Sequence, residues 1–585
     1  MDRESILAYM RQKSYRPLAY NELVQALELD EDEEIKFSKL IGQLEKEGDI
    51  VRTRKNKYGL PEMMNLSRGI IKLSQRGYGI LVPDNPAESE IFVYGRDLNG
   101  AMHGDRVMVR IHQRYTSNGR PEGEVIRVIN RANKELVGTF EKGKHSSVVI
   151  PDDVRQIYPI YVKPGSKLKV KNGDKVAVSI TSWPDKKKNP EGKITQVFGK
   201  KGTPGMDVQI VIKKHNLREK FPRAVLDEAK ELNQPISAEE IAKRRDLRDL
   251  RMVTIDGEDA KDLDDAVSIE RISQGYRLGV HIADVSHYVK QNSKIDKEAY
   301  KRGTSVYLID QVLPMLPREL SNGICSLNAG EDRLAITCMM DIDAQGRVMD
   351  YELFKSVISV DRRMTYTAVN KILQDHDKKT MKEYSDLVDD FLLMKELADI
   401  IRKEREARGA LDFDFPETKV IVDESGFPID IKPDTRGVGE MIIEDFMIRA
   451  NETVAEHMHR QEVPILYRVH EKPDSESLSS LNTVLKIFGY YIEEGKVHPQ
   501  VVQKLLREIK GKPQEPLISM MVLRSMKHAR YVNQALGHFG LASEFYCHFT
   551  SPIRRYPDLI VHRVLTLLLE GKMKGKRRQS FQSRM

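Results

Sequence analysis

The sequence predicts a multidomain α+β chain: a winged helix-turn-helix, then two small antiparallel β-barrels, then a large mixed α/β body. Three observations lead there. At 585 residues the chain exceeds what one hydrophobic core organises. Part of it repeats at a constant offset of 69 residues. Beyond about residue 205 the glycine-punctuated strands give way to strands mixed with long helices. Composition is ordinary for a globular chain, 40% hydrophobic and 31% charged, and the net charge of +7 is consistent with a polyanionic partner. Cys325, Cys338 and Cys547 are scattered without a CxxC pair, which argues for a reducing compartment and against a disulfide framework or zinc ribbon. Met1-Asp2-Arg3-Glu4 is followed by no apolar h-region, so no signal peptide is expected. No run approaches about 18 apolar residues, so no membrane span is expected and the cytoplasm is the default location.

The winged helix occupies residues 1–62. Ile6, Leu7 and Met10 form one apolar stripe, Tyr20–Leu27 offers a second helix and Phe37–Lys46 a third. Ile50–Tyr58 then alternates and is basic, like a wing. Such a unit serves nucleic-acid or protein contact equally well. The repeat follows at 65–132 and 135–200. Gly69 aligns with Gly138, Gly104-Asp105 with Gly173-Asp174, and Pro121-Glu122-Gly123 with Pro190-Glu191-Gly192. Short strands broken by glycine are the pattern of a small barrel of OB type. In the first copy, Arg76-Gly77-Tyr78-Gly79-Ile80 and Ile91-Phe92-Val93-Tyr94 resemble the aromatic strands of cold-shock domains, whose rings stack on unpaired bases. Tyr78 and Phe92 are therefore candidate RNA-binding residues. Strand alternation leaves a second reading open, with Phe92 in the core and Tyr78 or Tyr94 outward. The second copy lacks the Gly-aromatic-Gly element. Gly199-Lys200-Lys201-Gly202 links to the body at 205–585, where one long helix is expected over Met381–Arg405.

The segment Thr254–Ala266 packs Asp256, Glu258, Asp259, Asp262, Asp264 and Asp265 against the single Lys261. In a partly buried place, like neighbours penalise each other's ionisation. A hard divalent cation removes that conflict, and Mg²⁺ is usual where phosphates are substrates. The apolar runs Arg251–Ile255 and Ala266–Ile269 put the acids on a loop or strand end held by a sheet. Ile255, Leu263 and Val267 interleave with them, unlike a solvated acidic turn. A calcium loop fits poorly: counted from Asp259, the sixth residue is Asp264 where glycine is needed. Far downstream, Ser551-Pro552 predicts a helix start. Arg554, Arg555, His562 and Arg563 follow as phosphate donors or, alternatively, as a basic surface helix.

With His281–Ser286, Gly303–Tyr307, Pro314–Pro317, Leu320–Leu327, Gly537–Ala542 and Thr550–Tyr556 added, the chain resembles the ribonuclease R group of the ribonuclease II/R family of 3′-to-5′ exoribonucleases. The resemblance covers nearly the whole chain. It implies a ribonuclease II-type catalytic domain at 205–585, and metal-dependent, processive hydrolysis of single-stranded and structured RNA to nucleoside 5′-monophosphates. Asp256, Asp262, Asp264 and Asp265 match the family's metal-binding acids, with Asp264 the most rate-critical. The implied cofactors are two Mg²⁺ ions, Mn²⁺ being an alternative, about 3.5–4 Å apart in a two-metal scheme. Arg554 matches the arginine at the scissile phosphate, and Arg555 is a further RNA contact. Tyr307 and Phe413 match the aromatics that stack at the 3′ end. His281, His538 and His562 are expected to be structural hydrogen-bonders, because oxygen ligands dominate at Mg²⁺. The implied partner is RNA with a single-stranded 3′ end, with the ribosome or RNA-decay factors as candidates and a monomeric state. Family members continue into a further catalytic helix and an S1 barrel, whereas here Glu570 is followed by a basic stretch, Gly571–Met585, that resembles a truncation. The alternative reading is accordingly a catalytically impaired, RNA-binding fragment.

Overall fold

The N-terminal helices begin where the sequence supplies a carboxylate cap. Asp2 accepts the N–H of Ser5 and Asp30 that of Glu33. A computed structural model describes residues 2–12, 15–85, 88–117, 119–144, 146–163, 168–185, 188–412, 417–423, 426–493 and 495–573. They form two units, one running to Leu217 together with 426–427, the other comprising the rest. The first unit opens with α1 (Arg3–Met10), β1 (Leu18–Ala19), α2 (Tyr20–Ala26), α3 (Glu31–Glu47), β2 (Val51–Arg52) and β3 (Lys57–Gly59), an order typical of winged helices. The sheet order is β1-β3-β2, and Ile6, Leu7, Met10, Phe37, Ile41 and Leu44 share one core. The two-residue β1 is too short for any periodicity to reveal.

Two closed barrels follow. The first uses β4 (Leu66–Leu73), β5 (Gly79–Pro83), β6 (Ile91–Val93), β7 (Arg106–Tyr115) and β8 (Pro121–Asn130). The second uses β9 (Glu135–Glu141), β10 (Ser147–Pro151), β11 (Ile160–Val162), β12 (Asp174–Ser182) and β13 (Glu191–Lys200). The orders β4-β5-β6-β8-β7 and β9-β10-β11-β13-β12 correspond strand for strand. Gly69 pairs with Pro83 and Gly138 with Pro151. A Cβ on either would stand 2.0 Å from Val82 O or 2.2 Å from Ile150 O, so strand crossing itself demands glycine there. In the first barrel Ile91 and Val93 fill the core. Phe92 is outside it, stacked on Tyr78 at 5.0 Å and edge-on to Tyr94 at 4.9 Å.

The second unit is built on a seven-stranded sheet. Its strands are β14 (Arg245–Asp246), β15 (Val253–Asp256), β16 (Asp265–Ile272), β17 (Gly275–Ala283), β20 (Asp332–Ile342), β21 (Val348–Ser359) and β22 (Arg362–Thr365), with the hairpin β18 (Val306–Tyr307) and β19 (Val312–Leu313) apart from it. The order is β14-β21-β20-β17-β16-β15-β22. Alternation sends Val267, Val280, Ile282 and Ile336 into a core with Phe391, Leu397 and Phe446 from the long helices Val388–Arg408 and Val438–Arg460. Ala266, Ala283 and Ala335 belong to a second core with Val285, Ile295 and Leu559. Two expectations are corrected. The helix expected over Met381–Arg405 is two, Lys378–Glu383 and Val388–Arg408, parted by a turn carrying Ser385 and Asp386, residue types that favour turns over helix interiors. The helix expected to start at Ser551 starts at Tyr556. Asp558 Oδ1 accepts both the Ser551 N–H and Arg555 Nη2, folding the intervening residues into a turn against the helix start. Among the described residues no helix is long and apolar enough to cross a membrane.

Candidate active site

β15 ends on Asp256 and β16 begins on Asp265, so the acidic run is the loop between neighbouring strands. Its second half is pinned from Ser326, whose hydroxyl accepts the Leu263 N–H (3.1 Å) and donates to Lys261 O (2.9 Å). The buried Leu263 side chain adds an apolar anchor. Its first half is pinned from Arg363, whose Nη2 donates to Gly257 O (3.3 Å), Glu258 O (2.9 Å) and Ala260 O (2.7 Å). Asp264 then meets the downstream motif from 289 residues away: its Oδ1 accepts the Ile553 N–H at 2.8 Å. Its Oδ2 faces Arg554 Nε at 3.5 Å.

The same turn holds the hairpin. Arg554 O accepts the Ser305 N–H and the Thr304 hydroxyl, both at 2.9 Å, and Gly303 O accepts the Tyr556 N–H at 3.0 Å. Tyr307 is thereby set beside the acids, its hydroxyl donating to Asp262 while its ring stays 51% exposed. Tyr307 thus meets Asp262, Arg554 meets Asp264, and the backbone bonds of Arg554 to Thr304 and Ser305 join the two pairs. Arg555, expected as a further RNA contact, is tied to Asp558. Its Nη2 donates to the fully buried Asp558 at 2.7 Å, so the guanidinium faces inward, whereas Arg554 remains 44% exposed. Phe413 lies outside the described residues. Tyr78 and Phe92 belong to the first barrel and are described with it. His281 bonds Ser268 Oγ and Thr337 Oγ1, and His562 Nε2 donates to Phe549 O, both structural. Sequence reading missed Arg363, Asp558 and the Ile553 N–H. One arginine of the Arg362-Arg363 pair on an edge strand, and a backbone amide, carry no pattern that could have marked them.

Burial raises the pKa of Asp256, Asp264 and Asp265 alike. At Asp256 the negative Asp265 and Asp262 add to burial, with Arg363 and Arg554 opposing. Arg554 and the Ile553 N–H oppose burial at Asp264, and Arg554 and Arg555 do so at Asp265. Asp256 Oδ2 and Asp264 Oδ2 are buried without a hydrogen-bond partner. Asp264 Oδ2 has Arg554 Nε 3.5 Å away, and both oxygens remain open to a further donor or a cation. Among the described residues no three His, Cys, Asp or Glu side chains form an ion cage by themselves.

Comparison with known proteins accords with this geometry. The RNB domain model matches residues 244–571, the ribonuclease B OB domain 69–128 and the cold shock domain 149–222. A ribonuclease R of Thermotoga maritima is 45% identical over 575 residues, 97% of this chain and 80% of that protein. Among solved structures, Mycoplasma genitalium RNase R in complex with ribose-methylated single-stranded RNA matches with a TM-score of 0.80 and 30% identity, covering 88% of this chain and 82% of that one. The same protein in complex with double-stranded RNA matches at 0.73 and 30% identity, covering 83% and 84%.

Proposed function

The chain belongs to the ribonuclease R family, and from that premise we propose that it hydrolyses RNA processively from the 3′ end, releasing nucleoside 5′-monophosphates. The observation that carries this is the meeting of Asp264 with Ile553 and Arg554, beside an exposed Tyr307. Two Mg²⁺ ions (or Mn²⁺), held through Asp256, Asp262, Asp264 and Asp265, would supply Lewis acidity toward the attacking water and the leaving 3′-oxygen. The chain's own groups do the rest. The Ile553 N–H fixes one oxygen of Asp264, and the other, which makes no hydrogen bond, faces Arg554 and is open to a ligand. Arg554 presents a planar fork to the non-bridging phosphate oxygens, where charge grows as the bond breaks. Tyr307 offers a ring on which the terminal base stacks without regard to its identity. Tyr78, Phe92 and Tyr94 offer a second platform for unpaired bases. The substrate is RNA with a single-stranded 3′ end, including structured RNA behind such an end, as the two M. genitalium complexes suggest by analogy.

A 5′-labelled RNA with a 3′ overhang tests the proposal. With Mg²⁺ it should shorten from the 3′ end and body-labelled RNA should yield 5′-monophosphates, with EDTA stopping both. Asp264→Asn should bind the RNA with unchanged affinity while cleaving roughly a thousand-fold more slowly. A wild-type chain that shifts the RNA in a gel yet never shortens it would be the impaired RNA-binding fragment instead.

A further inference from the structure

We propose that Arg363 is a positioning residue that sets the acidic loop for cation binding, an inference that rests on the metal-dependent reading above. One guanidinium nitrogen gathers three carbonyl oxygens from a four-residue stretch, Gly257, Glu258 and Ala260. The arrangement is prepared by the sheet: β22 runs parallel to β15 with Arg363 opposite Thr254 and Thr365 opposite Asp256. Arg363 therefore reaches forward along the strand that ends in Asp256 and closes over the loop leaving it. The Ala260 N–H to Gly257 O bond (3.2 Å) shows the same stretch already folded as a turn, and the guanidinium holds the outward-facing carbonyls of that turn together.

The two halves of the loop thus have separate clamps. Ser326 holds Lys261 and Leu263, next to Asp262 and Asp264, while Arg363 holds the residues just after Asp256. The spacing between Asp256 and the other acids depends on both. Lysine would keep the charge and a three-donor nitrogen but, on a shorter and more flexible stem, only part of the bonding. The Arg363 side chain is exposed, so its replacement removes the clamp without opening the core.

The test uses the full chain as wild type, Arg363→Gln, Arg363→Lys and Asp264→Asn. Mn²⁺ affinity is read by electron paramagnetic resonance, and loop opening by hydrogen–deuterium exchange in EDTA. Arg363→Gln should weaken Mn²⁺ binding about 10- to 100-fold and speed amide exchange over 257–263, with an unchanged melting temperature. It should lower kcat at limiting Mg²⁺, recover at saturating Mg²⁺, and leave KM for RNA unaltered. Arg363→Lys should fall between. If Arg363→Gln binds Mn²⁺ and exchanges as wild type does while Asp264→Asn has lost Mn²⁺ binding, the positioning role is wrong and the metal reading stands. If Asp264→Asn binds Mn²⁺ as tightly as wild type, the metal reading fails and the inference with it.

Discussion

Asp264 and Asp284 stand at the same end of two adjacent antiparallel strands. Asp265 pairs with Ile282, and the Ala283 N–H donates to Asp264 O. Both side chains are buried, at 3% and 1% exposure, yet their surroundings are opposite. Asp284 is fully answered: Oδ2 accepts Arg244 Nη2 at 2.8 Å, and Oδ1 accepts the Ser286 hydroxyl at 2.7 Å and the His287 N–H at 3.1 Å. Burial raises its pKa, but the Arg244 charge and these bonds outweigh it and hold the carboxyl at about 2. Asp264 has one backbone donor at Oδ1, while Oδ2 makes no hydrogen bond and meets only Arg554 Nε at 3.5 Å, and burial holds its pKa above the usual range despite that charge. A buried carboxylate with every oxygen matched belongs to the framework. One with an oxygen that makes no hydrogen bond, beside a half-exposed arginine, marks where a ligand is expected.

The widest separation between the two comes from amide substitution. Asp284→Asn should cost about 3 kcal/mol, because it removes one of the two carboxylates, Asp284 and Glu240, that answer the buried Arg244, whereas Asp264→Asn should cost nothing at neutral pH and still accept the Ile553 N–H. Urea melts followed by circular dichroism would measure both, and equal losses would erase the distinction. A smaller effect follows from pH. Because the folded-state pKa of Asp284 is depressed from 3.8 to about 2, its contribution of about 2–3 kcal/mol is present above pH ~4 and lost as pH falls through ~2. The stability gap between wild type and Asp284→Asn should therefore shrink across that window, and a constant gap would refute the assignment. The smallest effect is the metal's. Mg²⁺ at ten times its dissociation constant should stabilise wild type by about 1.4 kcal/mol, and Asp284→Asn equally, but not Asp264→Asn.

The barrels show the same division between what a sequence displays and what folding decides. Their 69-residue offset was legible because Gly69 and Gly138 answer to the same strand crossing. Surface chemistry has since diverged: by strand register Tyr78, Phe92 and Tyr94 of the first barrel correspond to Ser146, Tyr161 and Lys163 of the second. Even so, Glu122 accepts the Tyr94 hydroxyl at 3.0 Å where Glu191 meets Lys163 at 3.2 Å. Period-two alternation allowed Phe92 on either side, and only the packing of Ile91 and Val93 put it outside. Nor could adjacent arginines be told apart: Arg554 looks out and Arg555 in, because Asp558 captures the second.

The order of motifs, the repeat and the crowding of carboxylates between apolar runs were determined by the sequence alone, since they depend on spacing and residue type along the chain. Which acid lacks a partner, which arginine faces the opening and what clamps the acidic loop were decided by tertiary structure. Those properties are set by groups up to 289 residues apart, brought within hydrogen-bonding range only when the sheet and the turn before the last described helix assemble.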